Sequence, residues 1–406
     1  MCLSDPEPFP PRQGKRSADS VMPVFRVATA HTSPAFLSPS ETAAQINTSI
    51  RHAASQKAQL ITFPEAYLPG FPYWLAVRPT WSNHALFQAY STASVCIDGP
   101  EIQSIRTTAR ETGVAVSLGI SERDPRVGGR LWNSNVFING EGDIVVHHRK
   151  LMPTWFEKLV WSPGDGAGLK VASIPIVDEG LTTEATDSEE IDAQRKAEAR
   201  ISTLICGENT NPLARYAVAS QGIHLHISTW PAIWPTRLPP QTTSDTAPSS
   251  SVREDGRPPA QGRNYNNLLA NRLRAAAQCF EAKCFGVLSA SALSSATIDA
   301  IAQHSPSPNL SSSMVASALE HSPRAASMFL DPTGEIVKGW IVNDKREKED
   351  REYLQMEEGV LFADLDLEMG IEGRQYHDLG GSGYQRGDVF ELKVNRQRKG
   401  IVEFVD

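Results

Sequence analysis

Six residues, AQLITF at 58–63, form an almost unbroken apolar run that stops at Pro64-Glu65. A run so short and continuous is the pattern of a β-strand covered on both faces, so the chain has to supply layers on either side of a sheet. The pattern recurs: VFRVATAH at 24–31, GVAVSLGI at 113–120, RISTLIC at 200–206, GIHLHIST at 222–229 and GVLFADLDLE at 359–368 read as further strands. Helices fall between them. One runs from Ser38-Pro39-Ser40-Glu41, a capping-box start with proline at the first helical position, to Gln56; others cover 100–112, begin at Asn211, and cover 265–281 ahead of CFGVLSAS. Two hairpins, SNVFI-NGEGD-IVVHHRK and SMFLD-PTGE-IVKGWI, turn on Asn, Gly and Pro. This alternation specifies a layered α/β domain that mixes parallel pairs with hairpins.

Charge and composition narrow the function. The 39 Lys and Arg against 47 Asp and Glu leave a net charge of -8, so no basic field gathers nucleic acid or anionic lipid. No apolar stretch approaches the ~20 residues that cross a bilayer. With 40% hydrophobic and 21% charged residues the chain can bury a large core. Residues 1–22 carry four prolines and several charges but no apolar h-region, and read as a disordered leader rather than a secretory signal. The five cysteines (Cys2, Cys96, Cys206, Cys279 and Cys284) are odd in number and lack metal-type pairing, as expected of reduced thiols in a cytoplasmic protein. Three stretches interrupt the strand–helix alternation: the acidic 176–199, the Pro/Ser/Thr-rich 239–262 and the Ser/Pro-rich 303–324. They read as solvated insertions within one domain over 23–395, followed by a tail at 396–406. The charged run 343–358 reads as an exposed face.

The chemistry concentrates where strands end. Cys206 closes an apolar strand and precedes GENTNPLARY, which places its sulfur at a strand-to-helix turn. Backbone N–H groups there can lower a thiol pKa and bind a developing negative charge. No histidine is placed as its base: His224 and His226 alternate along one strand, and His147 and His148 are adjacent. A carboxylate with a cation is the alternative, and Glu65 and Lys150, each just past an apolar strand, gain by pairing in a shared pocket. Trp155, Trp230 and Trp234 flank these segments, as an apolar ligand pocket or as core. Asn133 and Asn135 read as strand-edge or supporting residues, and Asp165 in GDG as a turn residue. No set of His, Cys and carboxylates has metal-ligand spacing, so neither metal nor cofactor is expected.

Taken together, FPEAYLPGFPYW at 63–74, HRKLMPTWFEKLVWSPGDG at 148–166 and CGENTNPLARY at 206–216 resemble the nitrilase branch of the carbon–nitrogen hydrolase superfamily. HISTWPAIWP at 226–235 and HDLGGSGYQRGDVFEL at 377–392 extend the likeness. The resemblance implies a four-layer αββα sandwich. It also implies Glu65 as general base, Lys150 as stabiliser of the intermediate, Glu157 as supporting acid/base and Cys206 as nucleophile, with the Gly207 N–H at the substrate. The implied reaction is hydrolysis of an aliphatic or arylaliphatic nitrile to acid and ammonia, through a thioimidate and a thioester. Nearby alternatives are an amide-forming hydratase, cyanide hydration and an amidase; from another class, a weakly catalytic self-assembling scaffold. Family members pair through helices into homodimers and helical homo-oligomers, which puts the helix after Cys206 near such a surface. One departure stands out: many nitrilases carry Trp after the nucleophile, whereas this chain reads CGEN, as a subset does.

Overall fold

The computed structural model describes residues 24–176, 197–236, 266–304, 311–380 and 384–398. The expected strands appear where apolar runs were read. They sort into two sheets because two chain segments each make parallel crossovers. In the first sheet β1 (Phe25–His31), β2 (Leu60–Thr62) and β3 (Ala115–Arg123) lie parallel. β4 (Leu131–Ile138) and β5 (Ile144–Arg149) then follow β3 as antiparallel neighbours. In the second sheet β6 (Ala172–Pro175) pairs antiparallel with β7 (Glu198–Ile205), which starts the parallel trio completed by β8 (Leu225–Trp230) and β9 (Phe285–Ala290). β10 (Ser327–Leu330) and the two-residue β11 (Ile336–Val337) extend it, with β14 (Tyr353–Leu354) beside β10. The chain returns to the first sheet with β12 (Gly339–Val342), β13 (Lys348–Arg351) and β15 (Gly359–Leu365), giving the order β13-β12-β15-β1-β2-β3-β4-β5.

Period-two side chains decide what each face buries. Phe25 and Val27 of β1 point between the sheets, where they meet Leu60, Ala115 and Phe137 from their own sheet and Ile201, Leu225, Ile227, Phe285 and Val287 from the other. Their neighbours Ala28 and Ala30 point outward, onto Ile46 and Ile50 of the helix Pro39–Ser55 and Ile102 and Ile105 of the helix Pro100–Thr112. On the second sheet Leu288, Met328 and Leu330 meet Ala275 and Cys279 of the helix Asn267–Ala282, and Leu204 meets Ala214 and Val218 of the helix Pro212–Ala219. The result is the expected αββα sandwich. Each fully buried Ile, Leu or Phe is worth roughly 1.5–3 kcal/mol, so the three apolar interfaces supply the driving force for stacking.

Two expectations need correction. Ser38 is the N-cap of the first helix, but at φ -114 and ψ 85 its hydroxyl makes no capping bond, and the turn is held by the Ser38 carbonyl accepting from the Thr42 N–H. The stretch 303–324 is also not wholly solvated. Ser312–Glu320 is a helix capped by the Ser311 hydroxyl, and it buries Val315, Ala318 and Leu319 beside Trp74, Ile298 and Ile301. Its apolar spacing of three and four residues was hidden in a Ser-rich composition. The run 343–358 forms β13, the two-residue β14 and the turns around them, and is largely exposed, as read, apart from Leu354, which is buried in the second sheet. Residues 1–22, the stretch 239–262, nearly all of 176–199 and most of 396–406 lie outside the described residues. No described helix is long and apolar enough to cross a membrane.

Candidate active site

Three strand ends and a short 3-10 turn meet at one end of the sandwich. Glu65 follows β2 in a turn that lies directly on β3, possible because position 119 is glycine: a Cβ there would sit 2.0 Å from the Pro64 carbonyl oxygen. Lys150 follows β5, and its backbone N–H donates to the Asn133 carbonyl at 2.8 Å. Glu157 lies in the short 3-10 turn Trp155–Leu159, begun by a capping box in which Thr154 N–H donates to the Glu157 carboxylate at 2.8 Å. Cys206 follows β7 and opens the 3-10 turn Cys206–Thr210. Its φ of 49 is left-handed, as are those of Ala66 (46) and Trp155 (48) in the facing loops. Non-glycine residues pay for that conformation, and its clustering here marks a site whose geometry is imposed by the surroundings.

The side chains converge in a dry space. The Lys150 ammonium donates to Glu65 Oε1 at 2.7 Å and to Glu157 Oε1 and Oε2 at 2.9 and 2.7 Å, all three side chains being fully buried. Asn133 Nδ2 donates a second bond to Glu65 Oε1 at 2.7 Å, leaving Glu65 Oε2 without a partner among the described residues. A carboxylate oxygen from each glutamate and the Cys206 sulfur all lie within 4.8 Å of one another. Those three groups could hold a metal ion, but Lys150 already sets a cation between the two carboxylates.

Two negative groups sharing one cation in low dielectric cannot all be satisfied. Burial, reinforced by Glu65, lifts Glu157 to about 7 against the pull of Lys150. Burial and the neighbouring Glu65 also push the Cys206 thiol far up, with Lys150 opposing them, so the thiol is protonated at rest. Burial disfavours the Lys150 ammonium, yet the Glu157 and Glu65 carboxylates, joined by the Cys206 sulfur whenever it is ionised, outweigh it and hold the lysine well above its ordinary value.

The other residues singled out from sequence fall at graded distances. Trp230 packs in one cluster with Cys206, Ile205, Ala290 and Ala325, and the Arg274 guanidinium lies 4.3 Å over its ring. Trp234 stacks on Phe156 at 4.5 Å within a larger aromatic cluster that includes Phe71. Trp155 is 58% exposed. Gly207 touches the facing loop: a Cβ at 207 would come within 2.7 Å of Thr154 Oγ1. Asn135 bonds to Ser117, and Asp165 caps its own turn and pairs with Arg398.

Sequence reading passed over a supporting set. Glu208 is buried and accepts from Ile205 N–H at 2.8 Å, Leu151 N–H at 2.6 Å and His148 Nε2 at 2.9 Å. Asn209 Nδ2 donates to the Leu204 and Cys206 carbonyls, and its Oδ1 meets His226 Nε2 at 2.9 Å. Burial, with Arg215 adding to it, holds His226 down at about 3, so this imidazole is neutral and structural. Polar residues so close to a candidate nucleophile were the available signal; the partners that bury them, His148 and Leu151 for Glu208 and His226 for Asn209, lie far away in sequence.

Comparison with known proteins places the chain among relatives. The chain is 27% identical to an arylacetonitrilase of Hypocrea virens over 384 residues, covering 93% of this chain and 94% of that one. It is also 27% identical to a bromoxynil-specific nitrilase of Klebsiella pneumoniae subsp. ozaenae, covering 94% and 88%. The crystal structure of Saccharomyces cerevisiae Nit3, described as a member of branch 10 of the nitrilase superfamily, superposes with a TM-score of 0.54 at 17% identity, covering 91% of this chain and all of that one. That likeness shows a shared fold. The profile of the carbon-nitrogen hydrolase family matches residues 26–375, and with two facing sheets and a thiol, two carboxylates and a lysine at their common end, the chain belongs to that family.

Proposed function

We propose that this protein is a nitrilase, converting an organic nitrile and two waters to a carboxylic acid and ammonia through a covalent adduct on Cys206. The observation that carries the reading is the convergence of Glu65, Glu157 and the Cys206 sulfur within 4.8 Å around the Lys150 ammonium. The thiol is protonated at rest, so the nucleophile forms only as it attacks. Glu65, through the oxygen that Lys150 and Asn133 leave free, takes the proton from sulfur while sulfur bonds to the nitrile carbon. The electron pair displaced onto nitrogen is met by Lys150 and the Gly207 N–H, and the proton that Glu65 took from sulfur passes to nitrogen, giving the neutral thioimidate and restoring the Glu65 carboxylate. Water deprotonated by Glu65 adds to that carbon, and the tetrahedral adduct expels ammonia to leave a thioester. A second water releases the acid and returns the proton to sulfur. Glu157, lifted to about 7, holds Lys150 in place and exchanges protons near neutrality.

The names of the relatives support a nitrile over an amide substrate, and Trp230 beside Cys206 supports an apolar substituent on it. Residues 23–395 then form one catalytic domain. Leu213, Leu269 and Leu273, each more than 60% exposed on the helices outside the second sheet, support assembly into a homodimer or larger homo-oligomer. The four described cysteines are unpaired, which supports a reducing, cytoplasmic setting.

The test is product analysis by mass spectrometry with an ammonia assay, on arylacetonitriles, aromatic and aliphatic nitriles, cyanide and amides, with Cys206→Ala as control. Acid and ammonia, both lost in the control, are expected. Amide as the main product would replace the reading with a hydratase, turnover of amides alone with an amidase, and no turnover by folded protein with a scaffold.

A further inference from the structure

The reacting groups come from different sheets. Glu65 and Lys150 follow strands of the first sheet, whereas Cys206 follows β7 of the second. Two stacked sheets slide against one another more easily than paired strands separate, since apolar contact between them has no direction. A device that fixes the Lys150 loop to the Cys206 loop at this end is therefore needed. Thr154 lies against Gly207, but that contact is only a close approach.

Glu208 meets the requirement. One carboxylate oxygen accepts from the Leu151 N–H, the residue after Lys150, and the other from the Ile205 N–H, the residue before Cys206. His148 Nε2, two residues before Lys150, lies 3.1 and 2.9 Å from the same two oxygens. The carboxylate is ionised: burial disfavours its charge, but His148 and the two backbone donors outweigh burial and hold it below its ordinary range. An ionised carboxylate only accepts, so His148 donates from Nε2. The three donors converge on one buried charge, and each bond is charge-assisted and directional.

We propose that Glu208, seated by His148, is a positioning residue for the reaction, holding Lys150 on one sheet in register with Cys206 on the other. The inference rests on the nitrilase reading only for its substrate. A shift of about 1 Å between two catalytic groups costs on the order of 100-fold in rate. Binding elsewhere in the pocket is spared, so the loss falls on kcat.

The experiment is a double-mutant cycle on the full chain with Glu208→Gln, His148→Gln and the pair, each checked for folding by circular dichroism and thermal melting. Glu208→Gln is expected to lower kcat about 100-fold with KM within about threefold, and His148→Gln to lower it in the same sense. The double variant is expected to be little worse than Glu208→Gln alone, because both substitutions break one link. His148→Gln leaves the carboxylate its two backbone donors, and is the deciding arm if Glu208→Gln does not fold. A folded variant whose melting point falls while kcat stays within about fivefold of wild type, or losses that multiply in the double variant, would overturn the proposal. If the wild type hydrolyses amides but not nitriles, the nitrile reading fails and the cycle runs unchanged on the amide.

Discussion

Replacing Lys150 by methionine removes the cation but keeps the length of the side chain, and the structure dictates the cost. Glu65 and Glu157 lose the ammonium that both contact at 2.7 Å, and both carboxyl groups are fully buried. Breaking a buried pair from one side costs ~3–5 kcal/mol, because the remaining charge keeps its desolvation penalty. With an unfolding entropy of ~2.1 cal/mol/K per residue over 406 residues, this lowers the melting temperature by about 4–6 °C. The loss also depends on pH. Glu157 is raised to about 7 with Lys150 in place, and without it rises further. A carboxyl raised above its unfolded value carries a proton in the folded state that unfolding releases, so the variant loses stability as pH rises from 7 to 9 while the wild type changes less. Scanning calorimetry across that range should show a gap that widens towards alkaline pH, together with a fall in kcat of at least about 100-fold. A gap that is absent at pH 8, or that widens on acidification, would show that Lys150 does not neutralise these carboxylates.

The wild-type profile of kcat/KM should inflect near pH 7 as Glu157 titrates, and Glu157→Gln should abolish that inflection; a profile that keeps it in the variant would assign it to another group. Gly207→Ala puts a Cβ within 2.7 Å of the Thr154 hydroxyl and should reduce kcat by about tenfold by displacing the Glu157 turn, measurable with any nitrile turned over. Trp155→Gly, at an exposed left-handed position, should leave stability unchanged or raise it by up to about 1 kcal/mol in thermal melts, because glycine adopts that backbone freely. Leu269→Asp with Leu273→Asp should shift the protein to a smaller species in light scattering, if the exposed helix face joins copies of the chain.

The sequence was most legible where local pattern and tertiary role coincide. Glu65 stands three positions past the end of β2, and Lys150 and Cys206 one position past the ends of β5 and β7, so the periodicity that revealed the strands also located the reactive groups. Glu157 was assigned only through resemblance, and the structure puts it on Lys150. Glu208 and His148, 60 residues apart, and Asn133 and Glu65, 68 apart, could not be matched, because nothing local couples a strand residue to a distant turn, whether that turn follows a strand of the other sheet, as for Glu208, or of the same one, as for Glu65. The helix Ser312–Glu320 was missed for a related reason: its serines argue for a loop until Trp74 and Ile301 give Leu319 a surface to pack on.

The margins of the two sheets carry a consequence for how the protein behaves at high concentration. β13 at one margin reads Lys-Glu-Asp-Arg, and β5 at the opposite margin has its His147 carbonyl already taken by Arg398. The second sheet stops at β11, only two residues long, and at β6, which finishes on Pro175. Short strands, dense charge, proline and an occupied carbonyl each deny a foreign strand its ladder. Among the described residues each margin of the two sheets is thus a poor template for accidental cross-β growth, so concentration alone gives copies of this chain little reason to join edge to edge.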